Sequence, residues 1–174
     1  MSSTTEKTNS NDEFEKIVTD YREYPHEFKS LVIGTTNKDG IPDASSVPFL
    51  MDEDKNFYIF VSFLSTHANN LKDTEKGSIL FIEDEAKTAN IFARKRLSYD
   101  CSSVIIPRSD REWNSIMDKF EERFGKIIEV LRNLQDFNLF KLTPLGGRFV
   151  IGFGKAYKIE GNDLNNLIHI GKDG

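Results

Sequence analysis

The sequence holds a single cysteine, Cys101. One thiol excludes an internal disulfide framework and suits a reducing compartment, so a cytoplasmic protein is expected. Histidine is also scarce. His26, His67 and His169 are scattered, and with the lone cysteine they give no zinc-ligand spacing. No apolar run reaches the roughly 18 residues of a membrane-spanning helix. The opening Met-Ser-Ser-Thr-Thr-Glu-Lys lacks the basic-then-apolar pattern of a signal peptide. Positive charge is not in excess either. A net charge of −5 argues against a general nucleic-acid binder.

What is present is aromatic. Hydrophobic residues make up only 38%, but 14 phenylalanines compensate with large buried area per residue. A length of 174 residues suffices for one domain with a real core. Residues 1–11 are polar and charged and are expected to form a disordered tail, with residues 12–174 as one domain. A helix capped by Asn11 or Asp12 should carry Phe14, Ile17, Val18 and Tyr21 on one face and end near Glu23–Tyr24, ahead of Pro25.

Strands then dominate. Residues 31–36 and 42–51 read as strands joined by the Lys38-Asp39-Gly40 turn. Residues 57–63 are apolar on both faces apart from Ser62, so both faces should be covered, and in a small domain the second cover is often another subunit. Ser65–Leu71 reads as a short helix whose free amides suit an anion. Another strand covers 77–83. Ser109, with Glu112 as its capping-box partner, should open two helical segments over 110–120 and 121–134, with Gly125 inside the second. Strands over 138–142 and 148–159 should flank a turn at 144–147, with Gly152 and Gly154 marking a bulge or close backbone approach. Asn162 or Asp163 should cap a last helix through Ile168. The element order implies a mostly antiparallel β fold with α-helices, an α+β barrel with helices at its rim.

One stretch stands apart. Asn90–Cys101 places Arg94, Lys95 and Arg96 within a run of Ile, Phe, Leu and Tyr. Read as a strand, it puts Phe92, Arg94, Arg96 and Ser98 on one face and Ile91, Ala93, Lys95, Leu97 and Tyr99 on the other. Two guanidiniums on one face suit the carboxylates or phosphate of a cofactor. The alternative is an edge strand protected by its charge.

Four segments carry a resemblance to a known family. Phe-Ala-Arg-Lys-Arg-Leu-Ser-Tyr-Asp (92–100), Glu-Arg-Phe-Gly-Lys-Ile-Ile (122–128), Leu-Gln-Asp-Phe-Asn-Leu-Phe-Lys-Leu (134–142) and Phe-Val-Ile-Gly-Phe-Gly-Lys-Ala-Tyr (149–157) resemble haem-utilisation proteins of the HutZ and HugZ type, and Ser65–Leu71 is similar too. The resemblance implies the split β-barrel of the pyridoxamine-phosphate-oxidase-like, FMN-binding superfamily. It also implies a homodimer with sites at the subunit interface. Family members bind haem, and several degrade it with oxygen and a reductant, releasing iron.

The resemblance also implies roles. Arg96 matches an arginine on the oxygen-binding side of the haem, where it could hydrogen-bond iron-bound oxygen or a propionate. Its structural alternative is an ion pair with Asp100. Asp136 matches an acid that hydrogen-bonds the iron-ligating histidine from the other protomer. Its alternative is a turn residue. The iron ligand of the family lies in a C-terminal Gly-His pair, and that histidine would follow Gly174. His169 is the fallback, with a helix-end histidine as its plainer reading. His67 matches a possible secondary haem contact.

A haem-degrading oxygenase served by an unidentified electron donor is therefore expected. One alternative is an FMN-dependent oxidoreductase in which Arg94, Arg96, Ser65 and Thr66 hold the flavin phosphate. Another is a haem carrier or storage protein without enzymatic activity.

Overall fold

A computed structural model describes the backbone over residues 3–171 and side chains over 12–171. Helix α1 (Ser3–Glu23) leads through a 3-10 turn containing Pro25 into β1 (Ser30–Thr36). The helix thus begins well before the expected Asn11 cap, because no proline or glycine upstream interrupts it. Strands β2 (Pro42–Pro48), β3 (Leu50–Met51) and β4 (Phe57–Ser62) precede α2 (Thr66–Thr74). Then come β5 (Lys76–Ile82), β6 (Arg96–Ile106), α3 (Arg111–Phe124) and α4 (Ile127–Arg132). Strands β7 (Phe137–Gly152), β8 (Lys155–Glu160) and β9 (Asn166–His169) complete the chain. Among the described residues no helix is long and apolar enough to cross a membrane.

All strand pairs are antiparallel, in the order β2-β1-β5-β6-β7-β4-β3, with β8 on β7 and β9 on β8. The long strand β7 divides the sheet. On one side it pairs with β6 over almost its whole length. On the other side its first half pairs with β4 and its second half with β8.

The division falls at Pro144-Leu145, where the β6–β7 register shifts opposite Asp100 and Cys101 and Leu145 is left without a partner. The expected turn at 144–147 is therefore a bulge inside a continuous strand. Proline, which lacks an N–H, is tolerated at such a point. The chain reverses instead after Gly152, where a second register shift lies and Gly154 adopts φ +67°.

Two apolar clusters flank the sheet. Inside the barrel, Phe57, Ile59 and Val61 of β4 pack with Phe81, Leu97, Tyr99 and Phe149. On the outer side, Tyr58 and Phe60 of the same strand pack against Trp113, Met117 and Phe120 of α3. β4 is covered on both faces, as its sequence requires, but the second cover is α3 of the same chain and not another subunit. The α3 cap is Asp110 and not Ser109, since Asp110 Oδ1 accepts from the Glu112 amide at 2.9 Å. α3 runs past the expected division at 120/121 to Phe124, and the break falls at Gly125, whose φ of 81° ends the helix.

The expected last helix is a turn followed by β9. Leu164 sits at φ 56°, which a right-handed helix cannot accommodate, and the Asp163 carboxylate turns onto the Asn165 amide. This turn is anchored to the core. Tyr99 donates to the Tyr21 hydroxyl at 2.7 Å, Tyr21 donates to the Leu164 carbonyl at 2.9 Å, and Lys55 Nζ donates to the same carbonyl at 3.2 Å.

Candidate functional site

The cationic stretch is not one strand. Ile91–Ala93 forms a 3-10 turn, opened by the Asn90 side chain accepting from the Phe92 amide at 3.0 Å, and β6 begins only at Arg96. From there the predicted alternation holds. Leu97, Tyr99 and Cys101 point into the core, while Arg96, Ser98 and Asp100 face outward.

The three cations differ in what holds them. Arg94 Nε donates to the Glu83 carbonyl at 2.6 Å, and its guanidinium pairs with Glu85 at 3.2 Å. Lys95 pairs with Asp20 at 2.6 Å and lies 4.4 Å from the centre of the Tyr24 ring. The Arg94 contacts brace the 83–95 loop on itself and the Lys95 pair ties it to α1, which is the structural use of charge. Arg96 is different. Its one side-chain hydrogen bond among the described residues is from Nη1 to the Arg94 carbonyl at 2.9 Å, and it pairs with no carboxylate, Asp100 included. A half-buried guanidinium with most of its donors uncommitted is suited to an anionic ligand.

The second group of candidates gathers elsewhere. Asp136 immediately precedes β7, and its Oδ2 accepts from Ser62 Oγ at the end of β4. The Asp136 carbonyl accepts from the Phe63 amide at 2.9 Å. Ser62 also presents its carbonyl to Ser65 Oγ at 2.6 Å, and Ser65 Oγ lies 3.2 Å from His67 Nε2. Asp136, Ser62, Ser65 and His67 thus form one hydrogen-bonded chain. His67 is buried at the first turn of α2, and burial lowers its pKa below the ordinary histidine value. Thr66 is exposed beside it. Ser65 occupies the N-cap position without making a capping bond, because its hydroxyl serves Ser62. Sequence reasoning passed over Ser62 as a site residue, although it was the one polar interruption in an apolar strand.

Within one chain the two groups sit at opposite ends of β7. Arg96 pairs in register with Val150, near the end of β7, whereas Asp136 precedes its start. The intervening strand contour is on the order of 40 Å. His169 joins neither group. Its Nε2 donates to the Gly154 carbonyl at 2.6 Å, and its ring packs on Tyr157 at 5.3 Å, which closes the β8–β9 edge. The position after Gly174 lies outside the described residues. An open cleft of about 1080 Å³ lies over the outer face of β1, β2, β5 and β6, lined in part by Gly34, Ala44, Gly77, Ser78 and Leu145. None of the candidates lines it.

Comparison with known proteins places this geometry. The family model for pyridoxamine 5'-phosphate oxidase matches residues 17–151. The curated protein "Heme oxygenase HutZ" of Vibrio cholerae is 37% identical over 155 residues, 89% of this chain and 88% of that protein. A crystal structure of HutZ from Vibrio cholerae, described as the heme storage protein, superposes with a TM-score of 0.72 at 34% identity, covering 78% of this chain and 96% of that one. The crystal structure of Campylobacter jejuni ChuZ superposes with a TM-score of 0.81 at 36% identity, over 92% of this chain but 64% of ChuZ. A nine-stranded antiparallel sheet divided along β7, with the resemblance spread over most of the sequence, makes this chain a member of the pyridoxamine 5'-phosphate oxidase family, in the group that includes HutZ.

Proposed function

We propose that this chain binds haem at a site shared by two copies and degrades it oxidatively, releasing iron, in the cytoplasm and with electrons from a separate donor. The 37% identity to a heme oxygenase over most of both chains carries this reading. Bound haem would supply the iron, the activation of oxygen and the ring carbon that is attacked. The protein's part falls to residues already placed. Arg96 offers uncommitted donors to negative charge on the bound ligand. Among the described residues Asp136 Oδ1 has no partner while Ser62 holds Oδ2, so it can accept from the N–H of an iron-ligating imidazole. The contour between Arg96 and Asp136 supports drawing them from different copies.

The description of the HutZ crystal structure as a storage protein supports a second reading, haem binding without degradation. The flavin reading draws less support. Arg94 is engaged by Glu83 and Glu85, and the Ser65 hydroxyl by Ser62.

Haemin titration followed by ascorbate and oxygen separates the three. A stoichiometric complex that bleaches and frees iron supports degradation. A complex that persists supports storage. A protein that purifies yellow and ignores haemin overturns both haem readings in favour of flavin.

A further inference from the structure

The outer face of the sheet carries a second uncommitted guanidinium that the sequence motifs did not mark. Arg148 of β7 pairs in register with Ser98 of β6, and Arg96 pairs with Val150. Paired residues share a face, so Arg96 and Arg148 are diagonal neighbours there, roughly 7–8 Å apart. The Arg148 side chain is exposed and makes no hydrogen bond or ion pair among the described residues. The other cations nearby are occupied: Arg94 by Glu85, Lys95 by Asp20 and Lys158 by Glu160. Asp100 also lies diagonal to Arg148, one row further along, yet forms no ion pair with it. Two guanidiniums on one face with no carboxylate partner suit an anionic ligand.

What adjoins the pair is apolar. The register continues from Ser98 to Leu80 and Val32, and from Arg96 to Ile82. Val32 is 37% exposed, and Leu80 and Ile82 are half-buried. From Val32 to Arg148 spans three strand spacings, about 14 Å. An apolar platform of that width with two guanidiniums at one edge has the form of a site for a planar macrocycle carrying two carboxylates.

We propose that Arg148, together with Arg96, binds the carboxylate side chains of the tetrapyrrole, so that Arg148 fixes how the ring is seated. This rests on the haem reading above. It assigns Arg148 to ligand contact and leaves the ring's iron to other residues.

The test compares the wild-type protein with Arg148→Gln and Arg148→Lys for binding of haemin, iron-free protoporphyrin IX and haemin dimethyl ester. Arg148→Gln should weaken haemin and protoporphyrin binding by roughly tenfold or more, as expected for a lost charge-assisted hydrogen bond. The dimethyl ester has no carboxylate and should bind both proteins equally. Arg148→Lys should recover part of the loss. The side chain is exposed and unbonded, so the melting temperature should not move. Unchanged haemin affinity in Arg148→Gln, with wild type binding normally, overturns this inference and leaves the haem reading standing. So does an equal loss for haemin and its ester. A wild-type protein that binds no haemin overturns both.

Discussion

Ser62 Oγ donates to Asp136 Oδ2, joining the end of β4 to the residue just ahead of β7. The bond leaves one carboxylate oxygen free and fixes where it points. A carboxylate that must accept from a metal-ligating imidazole needs that restraint, because orientation sets the tautomer and basicity of the ligand. Asp136→Asn should therefore weaken haemin affinity about 10–100-fold. Ser62→Ala should move it the same way by less, and the double variant should fall short of the summed losses, because the two residues act as a unit. Absorption titration measures all three, and strict additivity would count against the link.

Gly147 makes a sharper structural test. A Cβ there would stand 2.2 Å from the Ser98 carbonyl oxygen and 2.7 Å from the Tyr99 ring. Neither neighbour can yield easily, since one is strand backbone and the other is hydrogen-bonded to Tyr21. Gly147→Ala should destabilise by about 1–3 kcal/mol or more, the range for overpacking. Gly152→Ala meets nothing within 4 Å and should change stability little. Urea unfolding of the two variants side by side gives the comparison.

His67 should make stability depend on pH. Burial lowers its pKa in the folded protein below the unfolded value of about 6.5. Below that pH the unfolded chain binds more protons at this site, so stability rises with pH. The contribution is complete above the unfolded value and is lost as pH falls through the lowered one. His67→Gln should flatten the change in urea midpoint between pH 7.5 and 5.5. An unaltered slope would assign the acid sensitivity to other groups.

Much of the sheet was legible in the sequence because its signals are local. Alternating burial defined β1 and β5, and the Asp39-Gly40 turn joined β1 to β2. The doubly apolar Phe57–Phe63 announced that both faces of β4 are covered, but the identity of the second cover depended on where α3 packs. Pro144-Leu145-Gly146-Gly147 has the composition of a turn, yet the pairing with β6 carries the strand through it as a bulge. Similarly, Asn166–His169 has no strong strand signal and becomes a strand because β8 offers an edge. The site divides the same way. Arg94, Lys95 and Arg96 are equivalent as sequence, and only their distant partners at Glu85 and Asp20 set Arg96 apart. The link from Asp136 to Ser62 crosses 74 positions, beyond any local pattern.

The length of β7 has a genetic consequence. If each haem takes Arg96 from one copy and Asp136 from the other, a hybrid of an Arg96 variant with an Asp136 variant holds one site bearing both lesions and one bearing neither. Two inactive preparations, unfolded together and refolded as a mixture, should then regain about a quarter of wild-type activity, given random two-fold pairing. Lesions confined to the same residue should never complement each other.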